Sequence, residues 1–146
     1  MGIWFGFITL CFTLPFVWFM PKRISLKEIY IFWGWLAAIT INIDLIFGLI
    51  LDLYDSESPS ITIEDLILQF LLPPSFGVII LNFMPFRKRD FVLYLIGMTL
   101  FAITYEVLSL LTGYLVYKGW ELWFSVPFYA LVILYLRIHL SLLRKH

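Results

Sequence analysis

Long apolar runs separated by short polar segments set the pattern of the chain. A helix rising about 1.5 Å per residue needs about 20 predominantly apolar residues to cross about 30 Å of hydrocarbon. Five stretches qualify: Ile3–Phe19, Ile29–Leu51, Leu66–Phe83, Phe91–Val116 and Leu122–Leu143. The expectation is an all-α fold, an integral membrane bundle of five transmembrane helices forming a single domain over residues 1–146. The first run is short, and the fourth is long enough to tilt or to extend beyond the bilayer.

Charge in the connections gives the runs a direction. Lys22, Arg23 and Lys27 follow the first run, Arg87, Lys88 and Arg89 follow the third, and Arg144 and Lys145 follow the fifth. The connection from Asp52 to Asp65 instead carries Asp52, Asp55, Glu57, Glu64 and Asp65 without a basic residue. Basic connections mark the cytoplasmic side, so the N-terminus is expected outside and the C-terminus in the cytoplasm. Tyr30, Trp33, Tyr54, Tyr114, Tyr117, Trp120, Trp123, Trp4 and Trp18 fall near helix ends, where amphipathic rings anchor at the headgroups. In the acidic connection, residues 55–60 read as a solvated turn, and Thr62 with Asp65 reads as a capping box opening the third helix.

Composition narrows the function classes. The chain is 62% hydrophobic, against about 45–50% in soluble domains, and its mean hydropathy is +0.97. Ten Lys and Arg balance ten Asp and Glu, which removes the basic excess that nucleic acid as a partner would require. The N-terminal run lacks a basic flank and a small-x-small cleavage site, so it is expected to remain as a helix. Cys11 alone excludes an internal disulfide or a multi-Cys metal site, and reads as a small buried hydrophobe. With only His139 and His146 there is no His-Glu-x-x-His pair, and no Gly-x-Ser-x-Gly turn or phosphate loop is present. No catalytic constellation, metal site or cofactor is expected.

Ionisable groups inside a span cost about 2.5–3.5 kcal/mol on insertion scales, which makes them candidate functional groups. Asp44 lies 15 residues after Ile29 and Glu106 lies 15 after Phe91, so the two carboxylates share a depth. Small or weakly polar neighbours at helical spacing, Thr40 and Gly48 around Asp44 and Ala102 and Ser109 around Glu106, turn both toward protein. Asn42 lies on another face of its helix and is expected to meet a different neighbour or a second subunit. Pro73 and Pro74 predict a kink or break in the third helix that frees the carbonyls of Gln69 and Phe70 near the carboxylates. Asp44, Glu106, Asn42, Gln69, Pro73 and Pro74 therefore make up the candidate intramembrane polar site. Toward the cytoplasmic end, Arg137 is expected to snorkel to the headgroups and His139 to meet Asn82.

Glu106, Gly113-Tyr114, Gly119-Trp120-Glu121-Leu122-Trp123 and Ser125-Val126-Pro127 resemble a family of small multi-pass membrane proteins of bacilli and clostridia over about the last 45 residues. The resemblance implies a Gram-positive cytoplasmic membrane and carries no activity or functional residue. Two functions stay open. One is a non-enzymatic subunit or accessory component of a membrane assembly. The other is a small oligomeric transporter or channel-like protein using Asp44 and Glu106 for protons or cations. The bilayer is the expected partner in both, with a second copy or another membrane protein beside it.

Overall fold

The computed structural model describes residues 2–56 and 62–145. Helix α1 spans Ile3–Phe19 and α2 spans Leu26–Ile43, continuing without interruption into a π-helical turn over Asp44–Ile50. Strand β1 (Tyr54–Ser56) leads to α3 (Ile63–Asn82) and α4 (Lys88–Leu111), followed by β2 (Leu115–Tyr117) and α5 (Leu122–Lys145). Four helical stretches, Leu26–Ile50, α3, α4 and α5, are long and apolar enough to cross a membrane, and α1 is a shorter apolar helix. Glu57 to Ile61, and with them most of the expected acidic turn, lie outside the described residues.

Local chemistry explains the helix starts. Ser25 accepts from the Glu28 amide while the Glu28 carboxylate accepts from the Ser25 amide, a reciprocal cap that starts α2 three residues before the apolar run. Thr62 and Asp65 form the same box at α3, as their spacing predicts. At the other extreme, α4 stops at Leu111 instead of continuing to Val116. Gly113 adopts φ +77°, a left-handed conformation that glycine tolerates without a Cβ penalty, and the chain turns there into β2. Of the kink or break expected at Pro73-Pro74, the break does not occur: α3 runs unbroken from Ile63 to Asn82 with both prolines inside it. The irregular backbone is found in α2 instead, at the π turn that begins on Asp44.

Helix α3 is the centre of the bundle, packing against α1, α2 and α5, while α4 packs on α5. Gly77 makes the α2–α3 approach possible, since a Cβ there would lie 2.3 Å from the Leu36 Cδ1. Phe32, Leu36, Val78, Leu81, Ile133 and Leu136 fill the main core around this contact. A smaller cluster of Leu10, Leu68 and Leu72 joins α1 to α3.

The two ends of the bundle are tied separately. At one end Arg144 pairs with Glu28 at 3.0 Å and donates to the Arg23 carbonyl, and Arg137 donates to the Phe86 carbonyl with its guanidinium 4.0 Å from the centre of the Phe91 ring. Asn82 accepts from the Arg23 amide at 2.6 Å and donates to the Pro21 carbonyl at 3.0 Å. It therefore clamps the first connection and does not meet His139, whose ring packs on Phe32, Trp35 and Tyr135. At the opposite end, β1 and β2 pair antiparallel with Tyr54 facing Tyr117. There the Leu53 carbonyl accepts from the amides of Lys118, Gly119 and Trp120, and Lys118 pairs with Asp52 at 2.9 Å. The basic connections thus gather at one end and the acidic connection at the other.

Much of the outer surface is apolar: Phe12, Phe19 and Leu111 are each at least 75% exposed. Cys11 lies on this surface and is not buried, since α1 turns it away from α3.

Candidate functional site

The π turn, the β ribbon and the start of α5 bring the polar groups of the bundle together. Asp44 opens the π turn on α2, and its Oδ1 accepts a hydrogen bond of 2.7 Å from the Tyr54 hydroxyl. On α4, Glu106 is 6% exposed, and its Oε1 accepts from the Tyr117 hydroxyl and, at 2.8 Å, from the Ser125 hydroxyl. Trp120 Nε1 donates in turn to Ser125 at 2.8 Å, so a relay of donors runs from the ribbon through α5 to the carboxylate. The other oxygen, Oε2, has no hydrogen-bond partner among the described residues, and the Tyr129 hydroxyl on α5 lies beside the same carboxylate.

The ribbon repeats one arrangement twice. A carboxylate deep in a helix is followed ten or eleven residues later by a tyrosine that returns to it, Asp44 with Tyr54 and Glu106 with Tyr117. The two tyrosines are direct cross-strand partners, so each strand fixes the hydroxyl of the other. Burial first, then the adjacent carboxylates, raises both phenols well above their ordinary range. Both hydroxyls are therefore donors at neutral pH.

Asp44 and Glu106 line one half-open cavity of ≈ 420 Å³ between α2, α3, α4 and α5. Gln69, Pro73 and the buried Asp65 also line it, whereas Pro74 is packed inside the bundle. Asn42 is not part of it. It is exposed on α2 and donates to the Ala38 carbonyl one turn back, so it meets neither a neighbouring helix nor the carboxylates. No Lys, Arg or His is among the lining residues, and ten of them are aromatic. Trp4, Trp18, Tyr30 and Trp123 are exposed near helix ends as expected of headgroup anchors. Tyr54, Tyr114, Tyr117 and Trp120 instead face the cavity. Trp120 sits in an aromatic cluster with Phe47, Tyr54, Phe124 and Phe128 at centroid distances of 5.5–6.3 Å.

The hydroxyl donors Tyr54, Tyr117 and Ser125 are absent from the site that residue patterning picks out. Their signal was the repeated interval from acid to tyrosine, which only the pairing of β1 with β2 makes meaningful. Comparison with protein-family models, with curated proteins and with solved structures gives no match.

Proposed function

We propose that this chain is a multi-pass membrane protein that binds a cation inside its helix bundle at Asp44 and Glu106, as a small transporter or channel-like protein does. The carrying observation is the Glu106 side chain. It is almost wholly buried, lines a cavity with no basic residue among the described residues, and leaves Oε2 without a hydrogen-bond partner among them. A buried carboxylate oxygen in that position is costly unless a proton or a positive charge approaches it. A π turn beginning on the second carboxylate fits the same reading, since such turns occur frequently at functional sites.

The membrane setting belongs to this proposal. The segregation of basic connections supports five spans with the N-terminus outside and the C-terminus in the cytoplasm. The resemblance of the last 45 residues supports the cytoplasmic membrane of a Gram-positive bacterium. Five helices are few to enclose a pathway, which favours action with a second copy or with another membrane protein. A purely accessory subunit is the second reading, and the hydroxyl bonds to Asp44 and to Glu106 Oε1 favour it, because they hold both carboxylates in a fixed architecture.

The two separate in liposomes. The full chain is reconstituted, gradients of H⁺, Na⁺, K⁺ and an organic ammonium are imposed in turn, and flux is compared with that of Asp44→Asn and Glu106→Gln. Flux of one cation that disappears in folded Glu106→Gln supports the proposal. No flux and no binding of any of them would leave the accessory reading.

A further inference from the structure

Resting on the cation-site reading above, the geometry points to an organic ammonium with an apolar body as the ligand of this cavity, in preference to a metal ion or a proton alone. We infer this from three properties of the same walls. The first is size. A volume of ≈ 420 Å³ falls in the range of about 300–1,000 Å³ that accommodates small organic molecules, and is far more than a proton relay uses.

The second is the chemistry of the lining. Ten aromatic residues surround the carboxylates, and the Tyr54, Tyr117 and Trp120 polar atoms are turned onto Asp44, Glu106 and Ser125. With their hydroxyls and indole N–H so engaged, Tyr54, Tyr117 and Trp120 line the space through their rings. Aromatic walls attract an ammonium through the negative face of each ring, and cages of this kind recognise quaternary ammonium groups. A hard metal ion asks for the opposite, six or more oxygens converging on a point. Among the described residues no three His, Cys, Asp or Glu side chains converge in that way.

The third is charge. Asp44, with one oxygen bonded to Tyr54, and Glu106, with Oε2 making no hydrogen bond among the described residues, both line the cavity, and the buried Asp65 adds a third acidic side chain to its wall. A single positive centre between aromatic walls would answer both, while its apolar substituents fill the space lined by Leu72, Phe76, Val132 and Leu136.

The test uses the purified full chain and equilibrium dialysis, with a protein-free detergent control to subtract micelle partitioning. The probes are benzyltrimethylammonium and neopentylbenzene, which replaces the ammonium nitrogen with carbon at nearly the same shape. Saturable binding of benzyltrimethylammonium, one per chain and tighter than neopentylbenzene by on the order of tenfold or more, is expected. That preference should vanish in Glu106→Gln and weaken in Asp44→Asn, and excess Na⁺ or K⁺ should not displace the probe. Binding of Na⁺, K⁺ or protons at the carboxylates without benzyltrimethylammonium overturns the inference while leaving the cation-site reading standing. Equal binding of both probes with no inorganic cation bound overturns both. A preference retained in both variants also overturns the inference, because the site would then lie elsewhere. Should Glu106→Gln fail to fold, Asp44→Asn and the comparison of the two probes on the wild-type chain decide the matter alone.

Discussion

Replacing Glu106 in two ways separates its structural oxygen from its functional one. Glu106→Gln retains an acceptor at Oε1 for Tyr117 and Ser125 and changes only the unpartnered position, so its folding stability should stay within about 1 kcal/mol of wild type. Glu106→Leu removes the acceptor from both hydroxyls. A buried donor left unpaired costs about 1–3 kcal/mol, and Ser125 is 2% exposed while Tyr117 is half-buried, which gives about 2–4 kcal/mol for the pair. For a chain of this size that corresponds to a fall of about 4–16 °C in unfolding temperature. Thermal unfolding in detergent followed by tryptophan fluorescence reads the difference, and Trp120 reports from within the network itself. In parallel, the loss of one charge at about 4 Å is worth up to about 4 kcal/mol at an effective dielectric of about 20, so cation binding should collapse in the Gln variant despite its stability. Equal destabilisation of Gln and Leu would refute the reasoning, since Oε2 would then have a structural partner.

Three further variants test the scaffold, each by the same unfolding measurement. Tyr54→Phe leaves the Asp44 carboxylate without its tyrosine donor and should cost about 1.5–3 kcal/mol, with non-additivity when combined with Tyr117→Phe because the two rings are cross-strand partners. Gly77→Ala drives a methyl against Leu36 and should cost about 1–3 kcal/mol, part of which Leu36→Ala restores if that contact is the cause. Thr62→Ala removes the side-chain acceptor of the α3 cap and should cost about 1 kcal/mol, and an unchanged unfolding temperature would show that the cap contributes nothing to the fold.

Much of the frame is legible in the chain because hydropathy and short-range chemistry suffice for it. The bounds of α1 follow from its apolar run, and the α3 cap from the spacing of Thr62 and Asp65. Counting from helix starts predicts one level for Asp44 and Glu106, and both line one cavity. The start of α2 was equally legible in Ser25-Leu26-Lys27-Glu28, but a search for apolar runs passes over a capping box made of polar residues. Other features depend on contacts between distant segments. Nothing within residues 111–117 shows that Leu115–Tyr117 will pair with Tyr54–Ser56, so α4 reads as too long and its tyrosines as headgroup anchors. The π turn at Asp44 has no proline or glycine pair to announce it, whereas the Pro73-Pro74 pair announces a break that α3 does not make.

The cation site itself is examined most directly by infrared difference spectroscopy on the full chain, with and without benzyltrimethylammonium, in wild type and in Glu106→Gln. The expected result is a shift of carboxylate bands on addition of the cation that loses its Glu106 component in the variant and is absent with neopentylbenzene. A spectrum in which the cation perturbs no carboxylate, or perturbs the same bands in Glu106→Gln, would contradict the placement of a cation at Glu106.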